Sequence, residues 1–181
     1  MATEHPDIIP RLWEWIERQP MFFVGTAPSE GGRVNVSPKG YDSFSIIDAT
    51  TVAYLDLTGS GAETIAHLRD NGRITIMFCA FEGPPNIVRL QGTGEAVFPA
   101  DSRFAELAAR FAALPGIRSV ILIDVERVAD SCGFGVPKME LVEQRRELER
   151  WTDRKSDVEL AEYRIEKNST SIDGLPALPV T

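Results

Sequence analysis

The sequence is short of sulfur and imidazole. Its two cysteines, Cys79 and Cys132, make no disulfide framework, and with only His5 and His67 as histidines no metal-ligand spacing is visible. A Ser/His/Asp or Cys/His nucleophilic set has little to draw on: His5 stands near the N-terminus, and His67, beside Leu68, reads as a surface residue of a short helix. No apolar run approaches the roughly 20 residues that cross a bilayer. No basic region followed by an apolar run opens the chain, so a secretory signal is not expected either. Positive charge is scarce: 19 Lys and Arg stand against 27 Asp and Glu, a formal charge of −8. That balance argues against nucleic acid or an anionic membrane as partner, while leaving room for a small anion in a locally basic pocket. A soluble, cytoplasmic protein that acts on a small molecule is the expectation these absences leave.

What the chain does have is a core. Of its 181 residues 43% are hydrophobic, enough for one domain of ordinary size. No internal repeat or low-complexity tract interrupts it. Residues 6–18 carry Ile8, Ile9, Leu12, Trp13 and Ile16 at helical spacing, and Pro20 ends that helix. A barrel core over 20–130 is expected next, then a C-terminal helical extension and tail over 131–181. Within the core, strands are read at Met21 to Ala27, Arg33 to Ser37, Phe44 to Ile47, Thr51 to Leu57, Arg73 to Ala80, Asn86 to Phe98 and Ser119 to Val128. A helix from about Gly61 to Asp70 has Ser60 and Glu63 spaced as a capping box, and Asn71-Gly72 as its stop. Gly92 and Gly94 inside a long strand suggest a bend at a barrel corner. A further helix is expected from Asp101 or Ser102 to about Ala113, and a charged one from Met139 to Arg150, with a helical stretch on to Tyr163. Strands and helices do not alternate regularly, so a doubly wound sheet is excluded in favour of a mostly β, antiparallel small barrel with short helices.

Two segments carry chemistry. In Arg33 to Lys39, Asn35, Ser37 and Lys39 share one strand face, suited to hydrogen-bonding a planar heterocycle and, at the lysine, to meeting a phosphate. The plainer reading of that face is the solvent side of a hairpin. In Thr58-Gly59-Ser60-Gly61-Ala62-Glu63-Thr64 a strand turns into a helix start, whose free N–H groups and positive dipole end suit a phosphate. Ser60, Gly61 and Thr64 are the candidate contacts, and a merely capped turn is the alternative. Arg73 and Arg89 are the other candidates for a basic pocket, the plainer reading of each being a surface or barrel-rim arginine. No catalytic residue and no metal ligand can be named from these patterns.

Met21 to Ala27, Val34 to Tyr41, Tyr54 to Ser60, Asn71 to Phe78 and Leu90 to Ala96 stand in an order that resembles the pyridoxamine 5′-phosphate oxidase-related proteins of the FMN-binding split-barrel superfamily. The resemblance covers roughly residues 20–130. It implies a split-barrel homodimer with FMN at the subunit interface, and a flavoprotein oxidoreductase in which the flavin carries the redox chemistry. Lys39 matches the lysine that meets FMN in the oxidases. The arginine that opens the same motif is replaced by Val34. The arginine and lysine that hold the phosphate there meet Glu63 and Thr64 here. The closing Trp-Arg-Leu of the oxidases is absent, the chain running instead through Ser171 to Pro179. These departures argue against pyridoxine phosphate oxidation itself. The resemblance thus implies FMN held by Asn35, Ser37, Lys39, Ser60, Gly61, Thr64 and Arg89, with the deazaflavin F420, or a non-catalytic flavin- or haem-binding role, as the alternatives.

Overall fold

A computed structural model describes residues 2–179. Its strands are β1 (Thr3–His5), β2 (Phe22–Thr26), β3 (Asn35–Lys39), β4 (Phe44–Ile46), β5 (Thr51–Leu57), β6 (Arg73–Cys79), β7 (Ile87–Val97) and β8 (Ile117–Ser131). They form one antiparallel sheet in the order β3-β2-β6-β7-β8-β5-β4, with β1 added against β8. The sheet curls into a split barrel, as the sequence led us to expect. The helices are α1 (Pro10–Glu17), α2 (Glu63–Asn71), α3 (Phe104–Ala108), α4 (Glu147–Asp153) and α5 (Asp157–Asn168).

The main core lies inside the curl. Leu12 and Ile16 of α1 and Ile65 of α2 pack there with Val24, Ile76, Leu90, Ile121 and Ile123. Phe22 is its aromatic hub, edge-on to Phe44 at 5.1 Å and to Tyr54 at 5.5 Å. A second, smaller core lies on the other side of β5 and β8, where Ala53, Leu55, Val97 and Val120 meet Phe104 and Leu107. Burial of both faces explains why Thr51 to Leu57 and Val120 to Ile123 read as nearly unbroken apolar runs rather than alternating ones.

The corner expected at Gly92 is present. The β7–β8 register shifts between Gln91 and Gly92, and a Cβ on Gly92 would lie 1.9 Å from the Asp124 carbonyl oxygen, so only glycine fits. Gly72 likewise ends α2 in the left-handed conformation, at φ +73°.

Several expectations are corrected. The helix at the N-terminus begins at Pro10 because proline is favoured in the first turn, with Ile9 in extended conformation just before it. The capping box at Ser60 does not form: Ala62 is the N-cap of α2 and no side chain caps it. The helix expected as far as Ala113 is only the five residues of α3, since packing on the second core takes over from alanine propensity. Met139 to Arg146 is not helical. Met139 N–H bonds instead to the Phe81 carbonyl, and Met139, Leu141 and Val142 remain exposed with no surface to bury a helical stripe against. A helix with both arms of a capping box does form later, at Ser156 and Glu159 of α5. Among the described residues no helix is long and apolar enough to cross a membrane.

Candidate functional site

The edge strand β3 inverts the usual polarity. Asn35, Ser37 and Lys39 pair with Thr26, Val24 and Phe22 of β2 and so share the inward face of the sheet. Val34 and Val36 turn outward and are 73% and 65% exposed. The polar face read as a candidate binding surface therefore lines the interior, and the hydrophobic face meets solvent.

Opposite β3, the same interior holds a buried charge cluster. Tyr54 and Asp56 project from one face of β5, being two residues apart. Across from Asp56, the β5–β8 register slips so that Asp56 pairs with Ser119 and Leu57 with Ile117, leaving Arg118 as the extra residue of a bulge. The bulge brings two successive side chains to one carboxylate. Arg118 donates to both Asp56 oxygens, from Nε at 2.8 Å and Nη2 at 3.1 Å, and Ser119 Oγ donates at 3.1 Å. Arg118 also donates to the Gly61 carbonyl at 2.9 Å. Asp56 thus accepts three hydrogen bonds, and Lys39 Nζ stands 4.0 Å from it, at the limit of an ion pair and outside hydrogen-bond range. Burial, and then the Asp56 charge, push the Tyr54 phenol well above its ordinary pKa, so it stays protonated. Its hydroxyl has no hydrogen-bond partner among the described residues.

The third wall is the start of α2. Its first turn carries no side-chain cap, leaving backbone donors free. Glu63 accepts the Ile172 N–H through Oε1 at 3.2 Å and still lines the cavity, with Oε2 beside Gly61. Thr64 Oγ1 accepts from Asn35 Nδ2 at 3.1 Å, so its own proton is free to donate. The C-terminal extension fastens the turn before α2: Arg164 donates to Thr58 Oγ1 at 2.9 Å and Asn168 to the Gly59 carbonyl at 3.0 Å. The tail then lies along the helix, with Arg69 donating to the Ala177 carbonyl at 2.7 Å and Arg33 paired with Asp173.

These walls enclose a cavity of about 150 Å³ lined by Asn35, Ser37, Lys39, Gly61, Thr64 and Arg118, with Asp56 and Glu63. Five of the residues singled out from sequence meet in it. Ser60 is exposed beside it without lining it, and Arg89 lies elsewhere, in the row Pro38–Phe23–Met77–Arg89 on the outer face of the sheet, donating to Ser131 Oγ at 3.3 Å. Arg73 sits apart as well, donating to the Pro28 carbonyl. Sequence reasoning missed Arg118, Asp56 and the two C-terminal side chains that hold the loop. It also misread His67, which is fully buried with Nδ1 3.0 Å from Thr26 Oγ1. A larger groove of about 720 Å³, walled by Trp15, Met21, Phe81 and Met139, contains no buried polar side chain.

The donor set fits one phosphoryl-sized anion. Lys39, the Thr64 hydroxyl and the uncapped N–H groups of α2 converge, while both neighbouring carboxylates already have partners.

Comparison with known proteins follows the same line. The family model for pyridoxamine 5′-phosphate oxidase matches residues 8–132. The pyridoxamine 5′-phosphate oxidase family protein ustO of Aspergillus flavus is 44% identical over 195 aligned positions, covering 98% of this chain and 78% of its own. Among solved structures, a candidate pyridoxamine 5′-phosphate oxidase from Lactobacillus delbrueckii superposes with a TM-score of 0.55 at 17% identity, over 70% of this chain and 97% of that one. An FAD-binding protein from Mycobacterium smegmatis gives a TM-score of 0.52 at 13% identity, over 72% and 98%. Both of these likenesses concern the fold.

Proposed function

The chain belongs to the pyridoxamine 5′-phosphate oxidase family, and on that premise we propose that it is a flavin-dependent oxidoreductase whose cofactor is FMN. The observation that carries this reading is the convergence of unspent donors (Lys39 Nζ, Thr64 Oγ1 and the α2 N-terminus) beside carboxylates that are already bonded. Lys39, Thr64 and the backbone at Gly61 to Glu63 would hold the phosphate. Asn35 and Ser37 would meet the rest of the cofactor. When bound, the flavin supplies two-electron redox chemistry, and the protein's part is to bind it, orient it and keep water from it. Such a division of labour asks for no His- or Cys-based nucleophilic set among the residues lining the cavity. The test is the absorption spectrum of purified protein, followed by mass identification of what denaturation releases. Flavin bands and an FMN mass are expected. A colourless protein that takes up no added FMN refutes the reading, and a released deazaflavin replaces the cofactor.

The inverted polarity of β3 supports a homodimer. Val34 and Val36 form an exposed apolar strip at the sheet edge, continuous with half-buried Phe23 and Met77 on the outer face. A second copy covering it would also meet Arg89, which faces away from its own chain's cavity. Sedimentation should therefore return a dimer mass, and Val36→Lys should shift it toward monomer. A monomeric wild type rules the dimer out.

A further inference from the structure

The cavity wall continues behind its lining residues into a buried relay. Ser37 Oγ donates to Asn35 Oδ1 at 3.1 Å. Asn35 Nδ2 donates to Thr26 Oγ1 at 3.2 Å and to Thr64 Oγ1 at 3.1 Å. Thr26 Oγ1 lies 3.0 Å from His67 Nδ1. Thr26 is 4% exposed and His67 is fully buried, so no bulk water completes these bonds.

We propose that His67 is a positioning residue for the flavin site inferred above: as the neutral Nε2–H tautomer it accepts the Thr26 hydroxyl proton and thereby sets which way Asn35, Ser37 and Thr64 point their donors. The direction follows from counting protons. Both Asn35 amide protons are used, one of them on Thr26 Oγ1. Thr26 must then place its own proton elsewhere, and bare Nδ1 of His67 is the acceptor in reach. Nε2 of His67 has no partner among the described residues in either tautomer, so an Nδ1–H would add a second unmet group by stranding the Thr26 proton in a dry interior, at a cost comparable to a lost hydrogen bond. The relay leaves Ser37 presenting oxygen lone pairs to the cavity and Thr64 presenting a proton. The wall thus offers one acceptor and one donor, which suits a heterocycle bearing an N–H together with an anionic group.

The groups acting on His67 favour the neutral form. Burial, the largest influence, lowers its pKa below 6.5 against the opposing pull of Glu63, Asp173 and Asp70. Asp70 and Asp173 are bonded to Ser29 and Arg33, and β2 contributes only the neutral Thr26. Beneath the helix, β6 and β7 meet it through Ile74 and Gly94 at Leu68. With the folded pKa depressed, the neutral state is complete above pH 6.5 and is lost as pH falls through the lower folded value.

Two measurements on the full chain decide the matter. First, nitrogen-15 imidazole spectra of flavin-free His5→Gln protein, which keeps His67 alone, should show a protonated Nε2 and a bare Nδ1. Finding Nδ1–H overturns the proposal whatever the cofactor. Second, FMN affinity should be titrated from pH 5 to 8 for wild type, His67→Asn, His67→Leu and Thr26→Val. Wild-type affinity should fall about tenfold below pH 6.5, relative to His67→Asn, whose amide oxygen stands where Nδ1 does and accepts without titrating. His67→Leu and Thr26→Val should bind about tenfold more weakly at every pH. The phosphate of FMN titrates alike for all four, so the ratios between profiles carry the result. If FMN binds and all profiles run parallel with equal affinity, this proposal alone falls. If wild type binds no FMN, the flavin reading falls and this proposal with it.

Discussion

Arg118→Met is expected to lower the stability of the folded chain by about 3–5 kcal/mol, because it strips a buried carboxylate of its counter-ion. Arg118 and Asp56 are 5% and 1% exposed, and the guanidinium makes two bonds to the carboxylate and a third to the Gly61 carbonyl. Ser119 supplies only one neutral donor, and Lys39 at 4.0 Å is too far to replace two charged bonds without moving. For a chain of this size the loss corresponds to a midpoint shift on the order of 10 °C, read by thermal or urea denaturation. The paired change Asp56→Leu with Arg118→Met should recover most of it, since removing both charges leaves no uncompensated group. A single variant that melts within a degree or two of wild type shows that Asp56 is not held by Arg118.

That ion pair also marks where the sequence stopped being readable. Lys39, Asn35 and Ser37 were legible as one face of a strand because period two needs no tertiary knowledge. Which face turned inward was not, since hydrophobic alternation assigns Val34 and Val36 to the core and the split barrel does the opposite. Arg118 stood outside the strand as read from Ser119, and only the bulge in β8 brings it beside Asp56. No local signal announces a register slip whose partner lies 62 residues away. The Gly92 corner was legible because glycine punctuates a strand by itself. His67 was misjudged for the reverse reason. In an isolated helix it occupies an ordinary position, and only the tertiary packing of α2 on β2, which brings Thr26 to its ring 41 residues back in the chain, shows that it is buried. The resemblance to the oxidases conveyed the barrel and the lysine, and left open how an anion settles where Glu63 and Thr64 replace two cations. On the proposed reading Thr64 would donate to that anion, while Glu63, which also lines the cavity, has one carboxylate oxygen held by the Ile172 N–H of the tail.

That answer makes the double variant Lys39→Ala with Thr64→Ala the sharpest test of the phosphate site. A charge-assisted bond lost with the lysine contributes about 1.5–3 kcal/mol and a hydroxyl bond about 0.5–1.5. FMN affinity should therefore fall by about two orders of magnitude. Riboflavin, which has the same ring system and no phosphate, supplies the control: its affinity should change only a few-fold, because Asn35 and Ser37 remain. Lys39 stands 4.0 Å from Asp56 and Thr64 accepts one Asn35 proton, but the Arg118 and Ser119 bonds that hold Asp56 stay in place, so the fold should persist with a modest loss of melting temperature. Lys39 is the more telling of the two. Arg118 is spent on Asp56, which leaves the lysine as the cation in the cavity with its charge unneutralised by a hydrogen bond. Lys39→Ala alone should then account for most of the loss, and raising ionic strength should weaken FMN binding in wild type more than in that variant. Equal losses for FMN and riboflavin would move Lys39 from the phosphate to the ring. Unchanged FMN affinity in the double variant would remove the phosphate from this cavity altogether.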